Sequence, residues 1–473
     1  MITKQIVQEL KNGYAVQSGV FGAVNNKIVT KLNKYGLYEA DIDFNTLSEK
    51  EIQDLESVSA MSNSELDETS LGKKLFAKTI DIKHDPILGF YTNLYAGYVV
   101  EGNFRKNASS GGLGTWILTQ LLKKKLIDGV IHVHPVKNDK DGILFEYTIS
   151  KTADSISKGA KSRYYPVDLS AVLRTVKKEK GKYAITGIPS FITELRLLAE
   201  HDPEFKSSIV YTVGLICGHQ KSTKYAEALA WQHGIKPGDL ISIDFRKKVE
   251  GQPSSRYISE FTGLVNGEMV TFTKDQNDLF ISNWGHGFFK AKLSDFSDDT
   301  FNETADIALG DAWLPEYIGD SKGTNIVIIR NPEIATIFEE GVCSGALQLD
   351  ILPAERIIKS QLGLVHHTRD ELPYRLYKVD RKKEWRPTKR VKPSGELPLL
   401  RKKVQDTRES IATQSHIIFN EAVARDDWMY FQNNMNKYVR KYNYLYKIIN
   451  IQRLGVNGVA KKIYIKIKQR FLA

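Results

Sequence analysis

The most constraining feature of the sequence is a repeated order of apolar strand-like runs and helical periods within residues 90–234. Residues 90–100 are rich in β-forming side chains, and a Ser/Gly loop and helical periodicity over 113–125 follow them. The same order recurs over 182–199 and 208–234. This alternation predicts a mixed α/β domain whose loops at the strand ends bind a ligand.

Composition divides the chain into three predicted regions. Residues 1–80 form a short α+β unit with a polar, acidic stretch, 81–365 hold the α/β core, and 366–473 are basic and mostly helical. Four prolines within 373–398 indicate a linker. The periodicity over 411–446 predicts one long helix.

Positive charge is concentrated at the C-terminal end. The formal net charge is +11, and residues 428–473 contain ten lysines and arginines without any Asp or Glu. The remainder of the chain is therefore close to neutral, which argues against a nucleic-acid partner. A basic end suits an anionic surface, so we expect peripheral membrane contact through this tail.

Apolar residues interleave with lysines at the end of the same tail: Ile463, Tyr464, Ile465, Ile467, Phe471 and Leu472. This pattern is typical of a helix lying in a membrane interface, and equally of a helix packed on its own domain. Neither alternative is excluded by the sequence.

The sequence predicts a cytoplasmic protein, placed at the inner face of the membrane if the tail binds lipid. No run of 18 apolar residues is present, and the N-terminus lacks the apolar segment of a secretion signal. Cys217 and Cys343 are the two cysteines, too few for a disulfide framework.

A first candidate ligand loop is the run Ser109-Ser110-Gly111-Gly112, between a predicted strand and a predicted helix. Glycines let backbone N–H groups approach a ligand, and a helix N-terminus favours anions, so the loop suits a phosphate or pyrophosphate. The structural alternative is a serine cap after a flexible loop.

Two further loops follow the next predicted strands. They contain Thr186, Gly187, Pro189 and Ser190 in the first loop, and Cys217 and His219 in the second. A proline in the first helical turn is common without any function. A lone cysteine is a ligand, a nucleophile or a buried apolar side chain, and burial is the commonest of the three.

Charged residues lie near two later strand ends, where cations are candidates for phosphate contacts and the carboxylates of Asp306 and Asp311 could equally cap the strand ends. Arg246 and Lys248 follow one strand, and Asp311 and Trp313 lie in a short run beginning at Asp306. Cations at a strand end bind phosphate or form a solvated end. No spacing in the sequence predicts a metal site, including the adjacent pair at 366–367.

Residues 13–26 can be aligned with the spacing of a bacterial ferredoxin motif, C-x2-C-x2-C-x3-C. The four cysteine positions fall on Ala15, Ser18, Phe21 and Asn25. None of these side chains holds iron as a thiolate does.

Taken together, these motifs resemble the coenzyme F(420) hydrogenase/dehydrogenase beta-subunit flavoproteins over about residues 10–365. The segments that carry the resemblance are Arg105 with 109–112, 128–130, 187–190, 214–219, 245–248 and 305–313. Any one of these segments is only weakly specific for the family. Their occurrence together, in the family's order, is more specific.

The resemblance implies an FAD-binding α/β core with the Ser-Ser-Gly-Gly loop close to the flavin. The cofactor-binding residues it implies are Arg105, Ser109, Ser110, Gly111, Gly112, Thr186, Gly187, Pro189, Ser190, Arg246, Lys248, Asp311 and Trp313. Cys217 and His219 are candidate catalytic residues for proton handling, since a histidine can titrate near neutral pH.

The chain departs from the family at its cluster cysteines. Besides the ferredoxin positions, serines stand at 190, 294 and 297, and Cys217 alone remains at a family cysteine position. One cysteine cannot hold a cubane cluster, so we predict no iron–sulfur cluster. The C-terminal region, including Tyr374-Arg375-Leu376, resembles the bacterial branch encoded among capsule and exopolysaccharide genes.

These features favour a cluster-free, FAD-dependent oxidoreductase acting on a sugar nucleotide or lipid-linked sugar in polysaccharide biosynthesis. Its electrons would come from NAD(P)H, or the flavin would cycle without net redox change. The alternative is a non-redox scaffold of polysaccharide assembly that keeps the fold, because loss of cluster cysteines is also expected of a pseudoenzyme.

Overall fold

A computed structural model describes residues 4–136 and 142–471, with side chains as far as Gly455. Its strands are β1 Val29–Leu32, β2 Tyr38–Asp41, β3 Lys83–Asp85, β4 Gly89–Tyr91, β5 Asn93–Val99, β6 Gly129–Pro135, β7 Phe145–Ser150, β8 Tyr183–Gly187, β9 Ile209–Leu215, β10 Leu240–Lys247, β11 Ile258–Val265, β12 Glu268–Asp275, β13 Ile307–Asp311, β14 Asn325–Ile329 and β15 Leu347–Ile351. Its α-helices are α1 Gln5–Lys11, α2 Phe21–Val24, α3 Glu49–Val58, α4 Glu68–Phe76, α5 Phe104–Asn107, α6 Leu113–Lys123, α7 Ala153–Lys158, α8 Ser170–Glu179, α9 Pro189–His201, α10 Pro203–Ser208, α11 Thr223–Trp231, α12 Pro315–Ile318, α13 Pro332–Cys343, α14 Ala354–Ser360, α15 Leu362–Val365, α16 Leu372–Arg381, α17 Leu399–Arg425 and α18 Trp428–Phe471.

The central sheet confirms the predicted mixed α/β fold. Its strand order is β15-β5-β14-β13-β9-β8-β6-β7. β6, β8, β9 and β13 run parallel to one another, whereas β14 is antiparallel to both of its neighbours. The carboxyl ends of the four parallel strands therefore meet at one edge of the sheet.

Two edge strands of this sheet were not predicted. β7 and β15 each pair antiparallel with one neighbour, β6 and β5 respectively. Both are short, and their pattern does not stand out from the surrounding loops in the sequence. The predicted strand over 90–100 is interrupted at Thr92 and becomes β4 and β5.

A second sheet, antiparallel and ordered β10-β11-β12, packs against the C-terminal helices. Phe245 and Phe261 of this sheet share one buried cluster with Phe289 and with Phe419 and Phe431 of α17 and α18. The rings of Phe289 and Phe431 stack 5.7 Å apart. The C-terminal helices thus contribute to a core that begins near the middle of the chain.

The N-terminal unit packs on α9 through polar contacts as well as apolar ones. The hydroxyl of Ser18 donates to the buried carboxylate of Glu194, and Ala60 N–H donates to the same group at 3.2 Å. Phe21 belongs to the cluster that joins this unit to β6, β8 and α9. At the aligned ferredoxin positions, side chains therefore serve packing and hydrogen bonding.

The prediction of one long helix over 411–446 is wrong, because the structure has two helices there. α17 ends at Arg425, and Asp426 adopts the left-handed conformation (φ +50°) that terminates a helix. The predicted linker is also too long, since Pro373 lies in the first turn of α16, where a proline is tolerated.

α18 continues to Phe471 with a break in helical geometry at Gly455 (φ +68°). Within the described residues, no helix combines the length and apolar character needed to cross a bilayer. The interfacial pattern predicted from Ile463 to Leu472 lies outside the residues whose side chains the structure describes.

Candidate functional site

A cavity of about 310 Å³ lies at the edge where the parallel strands end. Its walls are formed by the last residues of β8, β9 and β13, by Asn325 at the start of antiparallel β14, and by the loop before α6. Crevices outside the carboxyl ends of parallel strands are the usual ligand sites of α/β sheets.

Many of the residues predicted from the sequence line this cavity. They are Ser109, Ser110, Gly112, Thr186, Gly187, Cys217, His219, Arg246 and Asp311. The predicted residues outside its lining are Arg105, Gly111, Pro189, Ser190, Lys248 and Trp313. Five separate segments of the chain thus meet at this cavity, as expected for loops at the ends of parallel strands.

The Ser-Ser-Gly-Gly loop is held by contacts within the protein. Ser110 Oγ donates to the carbonyl of Thr324 at 2.9 Å, and Ser109 Oγ accepts from Ser162 N–H at 2.8 Å. Gly112 has φ +86°, and a Cβ atom there would lie 2.7 Å from the carbonyl carbon of Phe104. A Cβ at Gly111 would lie 2.6 Å from the Gly97 oxygen, so close packing alone requires both glycines.

Arg246 and Asp311 form a buried, two-pronged ion pair on the cavity wall, with N–O distances of 2.7 and 3.2 Å. The guanidinium lies 4.3 Å from the ring of Tyr257 and 5.7 Å from that of Trp313. Burial by itself lowers the pKa of Arg246, but the Asp311 carboxylate outweighs it and raises the pKa above its ordinary value. Arg246 therefore stays charged.

Arg105 and Lys248 support the Ser-Ser-Gly-Gly loop from outside the cavity. The Lys248 ammonium donates to the carbonyls of Arg105 and Ser110. Arg105 stacks on Tyr98 at 3.4 Å and donates to the Gly323 carbonyl. Burial, with the positive charge of Arg105 close by, lowers the pKa of Lys248 to about 7.

Pro189 and Ser190 form the first turn of α9, where both are buried. This is the structural arrangement that the sequence left open as an alternative. Their neighbours Thr186 and Gly187 line the cavity instead, and the Thr186 carbonyl accepts from Tyr147 Oη at 2.9 Å.

Cys217 and His219 lie in the loop after β9, and burial sets the protonation of both. The Cys217 thiol is 3.4 Å from the His219 carbonyl, and burial raises its pKa, so it is protonated at neutral pH. Burial, reinforced by Lys290 and Lys221, lowers the pKa of His219 well below its ordinary value. His219 is therefore neutral, and its buried Nδ1 has no hydrogen-bond partner within the described structure.

The sequence did not identify Arg163 and Lys221 as cavity residues. Arg163 donates to the Ala160 carbonyl at 3.0 Å, lies 4.9 Å from the ring of Phe145, and its Nε is buried without a partner in the described part of the chain. Lys221 is only 3% exposed. Neither stands in a pattern that separates it from a surface cation, although both lie within a few residues of predicted elements.

Two other residues that stand where the family has cysteines, Ser294 and Asn25, form hydrogen bonds within the protein. Ser294 Oγ accepts from the backbone N–H of Gln220 at 2.9 Å. Asn25 donates to Glu51 at 3.0 Å. Among the described residues, no three His, Cys, Asp or Glu side chains lie close enough to share a metal ion.

Two family models match the chain. Residues 94–174 match the N-terminal part of the coenzyme F(420) hydrogenase/dehydrogenase beta subunit, and residues 180–354 match its C terminus. Together the two regions cover more than half of the 473 residues and contain the cavity-lining segments of the sheet.

An uncharacterized protein of Methanocaldococcus jannaschii is 24% identical over 252 residues, which are 52% of this chain and 62% of that protein. The chain thus spans less than two thirds of the length of this relative. A chain from a xenon-derivatization study of the F(420)-reducing NiFe hydrogenase complex of Methanosarcina barkeri is 18% identical. It superposes with a TM-score of 0.46 over 63% of this chain and 96% of that one.

Proposed function

Because the chain belongs to the coenzyme F(420) hydrogenase/dehydrogenase beta-subunit family, a family of oxidoreductase subunits, we propose that it is a cluster-free, FAD-dependent oxidoreductase. Its proposed substrate is a sugar nucleotide or a lipid-linked glycan precursor of polysaccharide biosynthesis, with NAD(P)H as the electron donor. We place this activity in the cytoplasm, with the basic tail contacting anionic lipid.

The observation that carries the proposal is the cavity at the strand ends. Its walls combine apolar surface with the charged side chains of Arg163 and Arg246. Buried polar atoms without partners in the described structure, such as Arg163 Nε and Gln220 Oε1, belong to lining residues. The arginine donors and the apolar walls fit a ligand with a flat apolar body and an anionic tail, and the Gln220 oxygen can accept from an N–H of the ligand; a dinucleotide flavin has that chemistry.

In this proposal the loop of Ser109, Ser110 and Gly112 and the end of β8 would hold the flavin, and Arg246 would face its phosphates. The bound flavin would supply the hydride or electron chemistry. The protonated thiol of Cys217 is the candidate proton donor. Neutral His219 is a hydrogen-bond partner, because the surrounding cations disfavour an imidazolium.

The first experiment is an absorption spectrum of the purified protein, followed by heat release of the chromophore. Flavin bands without the broad absorption of an iron–sulfur cluster would support the proposal. A colourless protein that also fails to take up added FAD would contradict it and favour the scaffold alternative.

A variant tests the placement of the flavin. Leu215 lines the cavity and is 42% exposed, so Leu215→Glu puts a negative charge at the cavity with little cost to the core. We expect FAD affinity to fall at least about tenfold. The matched control is Ile351→Glu, an exposed aliphatic residue on β15 outside the cavity lining, which should bind FAD as the wild type does.

A further inference from the structure

Lys221 is an unusual residue for the wall of a cavity. It lies in the loop between β9 and α11, belongs to the residues that line the cavity, and is almost fully buried. A buried lysine normally pairs with a carboxylate, because an isolated buried charge is costly. Among the described residues, no Asp or Glu forms an ion pair with Lys221.

The contacts of the Lys221 ammonium leave donors free. It donates to the Phe288 carbonyl at 2.7 Å and lies 4.9 Å from the ring of Tyr225 and 4.8 Å from that of Trp284. An ammonium has three N–H donors, so one carbonyl satisfies only a third of its capacity.

The surroundings of Lys221 carry an excess of positive charge. Arg408 has a carboxylate partner only at 3.9 Å, in Glu371, and its Nε is buried without a partner in the described residues. Lys290 is neutralised by Asp295. The ionisable side chains that contact Lys221 or interact with it electrostatically are Lys290, Arg408, Cys217, His219, Tyr225, His286 and His416.

The loop is rigidly held in this position. Lys221 forms a backbone bridge with Lys290, and Ser222 N–H donates to the Phe289 carbonyl at 2.9 Å. His416 of α17 contacts Ser222 Oγ at 3.1 Å. The backbone around Lys221 is therefore held by the segment at 289–290 and by α17.

We infer that the part of the cavity around Lys221 is an oxyanion subsite, in which a phosphate or carboxylate group of the ligand pairs with the Lys221 ammonium. An oxyanion supplies the missing negative charge and accepts the free N–H donors. His219 lines the same cavity, and because its Nε2 faces the Arg408 guanidinium at 3.4 Å, the unpartnered Nδ1 of its neutral ring carries a proton that an oxyanion can accept. This inference does not depend on whether the ligand is a flavin.

The subsite has a signature beyond binding itself. Burial, with Lys290 and Arg408 close by, lowers the pKa of Lys221 well below its ordinary value. An anion beside the ammonium reverses this effect, so anion binding should take up a proton and should weaken as the pH rises.

Sulfate is the probe of choice, because it remains fully ionised and any proton uptake then belongs to the protein. Calorimetric titration in buffers of different ionisation enthalpy measures both the affinity and the protons taken up. The wild type should bind sulfate with proton uptake. Absence of sulfate binding would overturn the inference without recourse to any variant.

Lys221→Met should raise the sulfate dissociation constant at least about tenfold and reduce proton uptake. We expect it to fold at least as stably as the wild type, since it replaces a buried amine that has no carboxylate partner with an apolar side chain of similar length. The matched control is Lys224→Met, whose lysine pairs with Glu227 at 3.0 Å and lies outside the cavity lining. Equal sulfate binding by both variants and the wild type would refute the assignment.

Repeating the sulfate titration on protein saturated with FAD identifies the source of the oxyanion. Loss of sulfate binding would assign the subsite to the phosphates of the cofactor, and retention would assign it to the substrate. If the protein binds no FAD but binds sulfate through Lys221, the proposed flavin function fails and the subsite stands.

Discussion

Neutralising Glu9 tests how burial controls the stability of the N-terminal unit. Glu9 is fully buried, and its carboxylate accepts from the hydroxyls of Ser59 and Ser62. Its other oxygen has no hydrogen-bond partner in the described residues. Burial raises the pKa of Glu9 from 4.5 to about 7, with Ser59, Ser62 and Lys389 opposing the shift and Glu56 adding to it.

A raised carboxyl pKa lowers stability as the pH rises. Between 4.5 and about 7, the folded protein holds a proton on Glu9 that the unfolded chain has already released. At about 1.4 kcal/mol for each tenfold change in proton affinity, ionised Glu9 costs about 3 kcal/mol of folding free energy. The cost is nearly complete at about pH 8 and is less than about 1 kcal/mol at about pH 5.

The free energy of unfolding of Glu9→Gln minus that of the wild type should therefore increase by about 2–3 kcal/mol between about pH 5 and about pH 8. Comparing the two pH values cancels any pH-independent effect of the amide. Urea unfolding followed by circular dichroism gives the difference, and Glu65→Gln, at an exposed carboxylate, is the control. A gap between wild type and Glu9→Gln that does not change with pH would refute the reasoning.

Two further substitutions test the backbone and the buried charges. Gly112→Ala should destabilise the protein by at least about 1–2 kcal/mol, because φ +86° is strained for alanine and the Cβ would contact the Phe104 carbonyl. Arg390→Met should cost about 3–5 kcal/mol, because it leaves the buried carboxylates of Asp298 and Glu303 without this partner. Urea unfolding at neutral pH measures both.

Matched controls separate these mechanisms from a general sensitivity to substitution. Gly363→Ala places a methyl group where no atom lies within 4 Å and should change stability little. Arg386→Met breaks an ion pair with half-exposed Asp380 and should cost less than about 1 kcal/mol. If Gly112→Ala or Arg390→Met behaves as its control does, the corresponding explanation is wrong.

The sequence predicts the central sheet well where local signals agree with the tertiary structure. The predicted strand and helix around 182–199 are β8 and α9. The apolar run, Gly187 and Pro189 all indicate that the strand ends and the helix begins at this point. The break at Asp426 was missed although Asp426-Asp427 is a local signal for it, since aspartate tolerates the left-handed conformation and caps helices; Asp427 accepts from the N–H of Tyr430 at 3.0 Å.

The site could be located from sequence more readily than its chemistry. Cys217 and His219 were identified because they follow a strand, and the structure places both at the cavity. Lys221 looks like a surface lysine in the sequence, because the segments that bury it lie about 70 and 190 residues further along the chain. Likewise, nothing near Ser18 indicates its partner Glu194, 176 residues away.

The contact between α17 and the loop after β9 joins the family-matched region to a part of the chain beyond it. The family matches end at residue 354, yet His416 holds Ser222, and Ser415 Oγ accepts from Phe289 N–H at 2.9 Å. The loop after β9, which lines the cavity, is therefore supported by α17, and α17 lies beyond the matched region. A substitution in α17 can therefore shift the loop after β9, and with it Cys217 and His219, while the strands of the central sheet keep their pairing.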